Sequence, residues 1–208
     1  MCTPRFRLAL LFILAGSIAS PAVAVNLVVN PSFAGNTTGW EGPARYDNVD
    51  ATGVAGSGSA ASFLFDTEPR AELAISQCIT TGPGSYTFGG KVLLPVIPVF
   101  QPDGVVGSIS VSYFSGADCS TGFLGVASLA TWVRGSFQTL SAPITAPAGT
   151  THIRITGVNG TIRPGRHYVI FDDFVLDNGA SNIPALGPFG YLALIVALAA
   201  MGIFVLRR

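Results

Sequence analysis

Two pairs of residues carry most of the chemistry this sequence offers. Asp172 and Asp173 stand side by side in the largely apolar run from Tyr168 to Leu176, where carboxylates either ligate a hard cation or cap backbone N–H groups. Cys78 and Cys119 are the only cysteines left once a leader holding Cys2 is removed. An even pair in an oxidising compartment closes as a disulfide, two buried free thiols being the alternative. Closing a loop of that length is worth about 4 kcal/mol in the chain-entropy model. His152 and His167 show no ligand spacing with the cysteines, which disfavours a metal pair. A glycosidase needs two carboxylates converging across about 5–9.5 Å on one bond, whereas neighbours on a strand point to opposite faces. The sequence has no Gly-x-Ser-x-Gly elbow, His-Glu-x-x-His pair or Walker loop, so the residues point away from catalysis. The aromatic candidates for packing on the CH face of a sugar are Tyr46, Phe100, Tyr113, Phe123 and Tyr168.

The elements that must position these residues are strands. Short runs rich in Val, Ile, Phe, Tyr and Thr recur at Leu27–Val29, Ala60–Phe65, Ala71–Ile79, Tyr86–Leu94, Val106–Phe114, Ser136–Leu140, His152–Thr156 and Tyr168–Leu176. Ile109, Val111 and Tyr113 alternate with Ser108, Ser110 and Ser112, the period of a strand with one buried face. Breakers separate the runs at Gly82-Pro83-Gly84, Pro95 to Pro98, Pro102-Asp103-Gly104 and Pro147-Ala148-Gly149. No stretch before residue 186 sustains helical periodicity. The expectation is an all-β domain over residues 25–178, an antiparallel β-sandwich of jelly-roll type. The loop Pro95–Pro102 reads as a strand edge guarded by prolines or as an exposed contact surface.

Both ends carry addresses. Met1–Ala24 has Arg5 and Arg7, an apolar core from Leu8 to Ala15, and Ala22-Val23-Ala24 at a cleavage site, the layout of a signal peptide. Phe189–Leu206 is 18 residues without a charge, ending at Arg207-Arg208. With Leu186-Gly187-Pro188 it is just long enough to cross a bilayer, and the arginine pair acts as a cytoplasmic stop. Residues 186–208 are therefore expected to form one transmembrane helix, after a linker over 179–185. Between the two addresses lie Lys91 and six arginines, seven bases against eleven acids, a net charge of −4. A mildly acidic domain without a basic stripe has no electrostatic footprint for nucleic acid.

Asn26-Leu-Val-Val-Asn30-Pro-Ser-Phe33 with Gly39-Trp40, then Gln77-Cys78, Gly84-Ser-Tyr86-Thr-Phe88, Thr131-Trp132 and Phe171-Asp172-Asp173-Phe174-Val-Leu176, resemble in order the galactose-binding-like jelly rolls of carbohydrate-binding modules. The resemblance covers nearly the whole domain, and it implies that Trp40 and Trp132 are core residues. It implies polysaccharide as a partner and a structural calcium held by a Glu of the opening motif with an Asp of the closing strand. Ala34 stands where that Glu is usual, so calcium at Asp172 and Asp173 is expected to be weak or absent, and no other cofactor is implied. Ile183-Pro184-Ala185-Leu186, followed by the apolar helix and Arg207-Arg208, resembles the IPTL-CTERM class of sorting signals, relatives of PEP-CTERM. That resemblance implies an exosortase-type membrane enzyme as partner, which cleaves near the short motif. Ala185 replaces the usual Thr, and a tail that simply anchors the chain is the alternative.

Together these readings describe a non-enzymatic exported protein, held first in the membrane and then displayed at the cell surface or released. Its first expected role is a structural or adhesive component of the cell envelope or extracellular matrix. The second is a carbohydrate-binding module attaching the cell to a polysaccharide, and the third a hydrolase with an unrecognised site.

Overall fold

The computed structural model describes residues 25–66, 68–96 and 104–178. The segments expected as a signal peptide (1–24), as linker and sorting motif (179–185, with Ile183–Leu186) and as a transmembrane helix (186–208, with Arg207 and Arg208), together with Phe100, lie outside the described residues. Residues Ala24–Ala180 form one compact unit, and among the described residues no helix is long and apolar enough to cross a membrane.

The unit is an antiparallel β-sandwich, with nine strands among the described residues: β1 (Arg45–Asp47), β2 (Ser59–Asp66), β3 (Arg70–Thr80), β4 (Gly84–Leu93), β5 (Val105–Phe114), β6 (Phe123–Thr131), β7 (Gln138–Ala146), β8 (His152–Thr161) and β9 (Gly165–Asp177). One sheet has the order β1-β2-β9-β4-β7 and the other β3-β8-β5-β6. Strand alternation builds the core between them. Ile109, Val111 and Tyr113 face inward from β5 while Ser108, Ser110 and Ser112 face out, and Ile153 and Ile155 of β8 lie opposite Tyr113 and Val111. From the first sheet, Phe88, Val92, Val169, Phe171, Phe174 and Leu176 close the layer. Each fully buried side chain of this size contributes about 1.5–3 kcal/mol relative to exposure, so the aromatic and branched residues of these strands dominate stability.

Several boundaries differ from the sequence expectation, each for a local reason. Leu27–Val29 is not a strand but a strap, with one bridge from Asn26 to Asp177; Pro31 and the positive φ of Asn30 and Phe33 (50° and 48°) turn the chain before a ladder can grow. β6 is missing from the expectation because Gly125, Ala127, Ser128 and Ala130 dilute its β-branched signal. β7 starts at Gln138 rather than Ser136 and runs on through Pro143, which a sheet edge tolerates. The three-residue β1 has no signature of its own and exists by pairing with Ser59–Ala61.

Cys78 of β3 and Cys119, in the loop between β5 and β6, form a disulfide with a sequence separation of 41. That loop is pinned a second time by Arg154 of β8, which donates to the Cys119 carbonyl and sets its guanidinium 5.4 Å from the Phe114 ring centre.

Candidate functional site

The site grows out of one irregularity in β9. Lys91 of β4 pairs with Asp172 and Gly89 with Val175, so Asp173 and Phe174 together oppose Gly90. This bulge puts Asp173 at a φ of 46°, a left-handed conformation that Asp tolerates better than most residues. The two aspartates therefore do not point to opposite faces, as neighbours on a regular strand would. Both come to the outer face of the first sheet: Asp172 shares the register of Lys91, and the Asp173 carboxylate lies 2.9 Å from the Lys91 ammonium. That carboxylate raises the pKa of Lys91 by accepting its hydrogen bond, so the chain's one lysine stays charged.

Around this ion pair lies a depression of about 390 Å³ that crosses the strands. It is walled by Asn26 and Pro31 of the strap, Asp173 and Val175 of β9, Gly89 and Lys91 of β4, and Thr139 and Ser141 of β7. The bare position at Gly89 is required: a Cβ there would come within 2.0 Å of the Leu140 carbonyl oxygen. The result is a small set of hydroxyl, ammonium and carboxylate groups around an apolar floor, the pattern of a site for a polar small molecule.

Asp172 behaves differently from its neighbour. It is fully buried, under the loop joining β1 to β2, where Ala51 N–H donates to its Oδ2 at 2.9 Å and Asp173 N–H to its Oδ1 at 2.7 Å. Burial pushes its pKa up to about 7; the two N–H donors oppose that rise, and the charges of Asp173 and Asp50 add to it. Asp50, in the same loop, is held down to about 2, chiefly by the Thr52 backbone N–H. The set does not fit the calcium site that the resemblance implies. Asp172 meets two N–H donors where a cation would need its lone pairs, Asp173 is engaged by Lys91, and Ala34 brings no carboxylate. Among the described residues no group of three His, Cys, Asp or Glu converges to hold an ion.

The structure does not gather the aromatic candidates into one place. Tyr113 is a correction: it is only 6% exposed and belongs to the core, because it continues the inward alternation of Ile109 and Val111. Phe123 is exposed at the start of β6, in edge contact with Phe114. Tyr46 is exposed on β1, and Tyr168 is half-buried on β9 with its hydroxyl donating to Asp47 at 2.6 Å. Trp40 packs as expected on Phe33 and Phe174 at 5.3 and 4.5 Å. Trp132 does not: it is 61% exposed, since β6 ends at Thr131 and the chain leaves the sheet there. Sequence reasoning missed Lys91, Thr139 and Ser141, and also Phe63 and Phe65, which stand outward on β2 at 59% and 65% exposure. The run Ser62-Phe63-Leu64-Phe65 held a signal for the last two, because apolar residues at both parities mean that both faces of the strand are apolar.

No family model matches this chain, and no curated protein matches it. Its fold is similar to that of the carbohydrate-binding module TmCBM61, solved in complex with β-1,4-galactotriose, at 20% identity over 73% of this chain and 97% of that one, with a TM-score of 0.50. It is also similar to the enzymatically active domain of bacteriophage CBA120 tailspike protein 4, at 13% identity over 73% of this chain and 21% of that one, with a TM-score of 0.52. A third likeness is to the arabinose-bound α-L-arabinofuranosidase MgGH51, at 12% identity over 73% of this chain and 26% of that one, again with a TM-score of 0.52. At these identities the likeness is one of fold, and the fold is a jelly-roll sandwich of the kind found in carbohydrate-binding modules.

The buried Asp172 sets a pH dependence whose sign is fixed. An unfolded Asp loses its proton near pH 4 and the folded one near pH 7. Between those values the folded state holds a proton that the unfolded state has lost, so stability falls as pH rises from about 4 to about 7. Melting temperatures measured at pH 5 and pH 8 should show the wild type losing stability towards pH 8. Asp172→Asn should lack that component of the slope, and an identical slope in the variant would contradict the assignment.

Proposed function

We propose that this chain is an exported, non-catalytic carbohydrate-binding module of the cell envelope, which binds glycan in the depression around Lys91 and Asp173. The observation that carries the reading is the convergence of Lys91, Asp173, Thr139, Ser141 and Asn26 on one open sheet face. Vicinal hydroxyls of a sugar both donate and accept, and this set offers an ammonium, a carboxylate and two hydroxyls to meet them, while the Asn26 amide ties the strap to β9 beside them. The likeness in fold to TmCBM61, which was solved with β-1,4-galactotriose, supports the same reading and makes that trisaccharide the first probe. The carboxylates support binding over hydrolysis. Asp173 is paired with a lysine and Asp172 is enclosed beneath a loop, so neither stands as an acid or nucleophile across an open bond.

Delivery belongs to the two ends. The signal peptide exports the chain, and the segment after Ile183-Pro184-Ala185-Leu186 holds it in the membrane until an exosortase-type enzyme acts near that motif. Pro184 supports this reading, because a proline within the short motif disfavours regular helix there and so favours a segment that an enzyme can read. Mass spectrometry of the protein from native cells should find a mature C-terminus near residues 183–188. Full-length chain as the only form would leave a plain membrane anchor in its place.

For the binding reading, calorimetric titration of the full chain in mild detergent with β-1,4-galactotriose, after a glycan array to place it among other sugars, should give saturable binding. Lys91→Ala should weaken it about 10-fold or more, since a hydrogen bond to a charged group is worth about 1.5–3 kcal/mol. Absence of binding to any glycan on the array would remove the reading and return the protein to a structural role.

A further inference from the structure

A second feature of the same sheet face lies outside the depression. Phe63 and Phe65 project from β2, two residues apart and so about 7 Å from each other along the strand. Phe63 lies in register with Tyr168 of β9, their ring centres 6.4 Å apart, and Phe65 lies in register with Arg166, whose guanidinium is 5.7 Å from its ring centre. Asp47 of β1 closes the group by accepting the Tyr168 hydroxyl. This is an aromatic platform on the solvent side of a strand, with hydrogen-bonding groups at its margin. Single exposed apolar residues need no explanation, but two phenylalanines more than half exposed beside a tyrosine make a patch that does.

The platform and the depression share one sheet face but not one groove. Along β9, Tyr168 and Asp173 are five residues apart, about 16 Å. The loop that places Ala51 on Asp172 stands between them. A single sugar cannot touch both stations, whereas a polymer can engage them together. Resting on the glycan-binding reading above, we propose that Phe63, Phe65 and Tyr168 form a second stacking station, so that the ligand is an extended polysaccharide and not a free oligosaccharide. The occupant follows from the chemistry on both sides: the CH faces of successive hexose rings cover the aromatic rings, and their outward hydroxyls meet Asp47 and Arg166. Two stations on one chain raise the affinity for a polymer by effective concentration alone, by about 10²–10⁴ when the geometry permits both contacts.

The test compares β-1,4-galactotriose with polymeric β-1,4-galactan on the full chain in detergent. For the wild type, the polymer should bind at least about 10-fold more tightly than the trisaccharide. Phe63→Ser with Phe65→Ser should bring the polymer down to the trisaccharide's affinity and leave trisaccharide binding within about twofold, which also shows that the variant is folded. Phe63→Tyr with Phe65→Tyr, which keeps both rings, should retain the polymer advantage. Undiminished polymer binding by the serine variant would overturn the proposal while the depression, tested by Lys91→Ala, still stood. So would a wild type that self-associates in sedimentation where the serine variant does not, because the platform would then be an interface between copies. Wild type that binds neither probe would defeat the glycan reading itself, and this inference with it.

Discussion

The bulge at Asp173 and Phe174 is the constraint on which core and site both depend. By placing two residues of β9 opposite Gly90, it sends Phe174 inward and Asp173 outward within one step of chain. Phe174 then meets Trp40, Phe33 and Phe171 at 4.5, 6.0 and 6.1 Å, an aromatic cluster at one end of the sandwich. Asp173 meets Lys91 and completes the wall of the depression. A regular strand would lose both, because period-two alternation after Asp172 would turn Asp173 inward and Phe174 outward. The left-handed backbone at Asp173 is a cost, and the buried ring beside it is what holds it in place.

The strap from Asn26 to Ala44 makes the bulge tenable. Asn26 accepts from the N–H groups of Val28 and Leu176 and donates to the Phe174 carbonyl, so one side chain stitches the strap to β9 just beyond the irregularity. Gln77 of β3 fixes its middle by accepting from Val29 N–H and donating to the carbonyls of Val29 and Gly39. Asn30 folds the turn between, accepting from Ala34 N–H and donating to the carbonyls of Asn36 and Thr38. These amides satisfy backbone groups that no ladder reaches. The bonds of Asn26 and Gln77 are partly buried, so removing either leaves partly buried backbone groups unpaired, whereas those of Asn30 are exposed. The strap also supplies Asn26 and Pro31 to the wall of the depression, so the same contacts that close the core shape the site.

How much of this the sequence discloses follows from which signals are local. The sandwich is legible because Ile109, Val111 and Tyr113 alternate with serines and the glycine–proline breakers fall between strands. That same alternation buries Tyr113 and disqualifies it as a ligand contact. The disulfide is legible from count alone. Asp172 and Asp173 attract notice as a pair, but their shared face is not legible, because a bulge is a two-strand event that depends on Gly89 and Gly90 of β4. Thr139 and Ser141 carry no signal at all: a hydroxyl on an edge strand looks the same whether or not it borders a depression. Phe63 and Phe65 were legible in principle, since a strand apolar at both parities must expose one set unless a second layer covers it.

The central claim is that sugar is met on the outer face of the β1-β2-β9-β4-β7 sheet, and amide chemical-shift mapping tests it most directly. Isotope-labelled full chain in detergent would be titrated with β-1,4-galactotriose and its backbone shifts followed to saturation. Shifts concentrated at residues 89–91, 139–141 and 173–175, the residues lining the depression, are the predicted result. Shifts confined to the β3-β8-β5-β6 sheet, or no saturable shift anywhere, would contradict it.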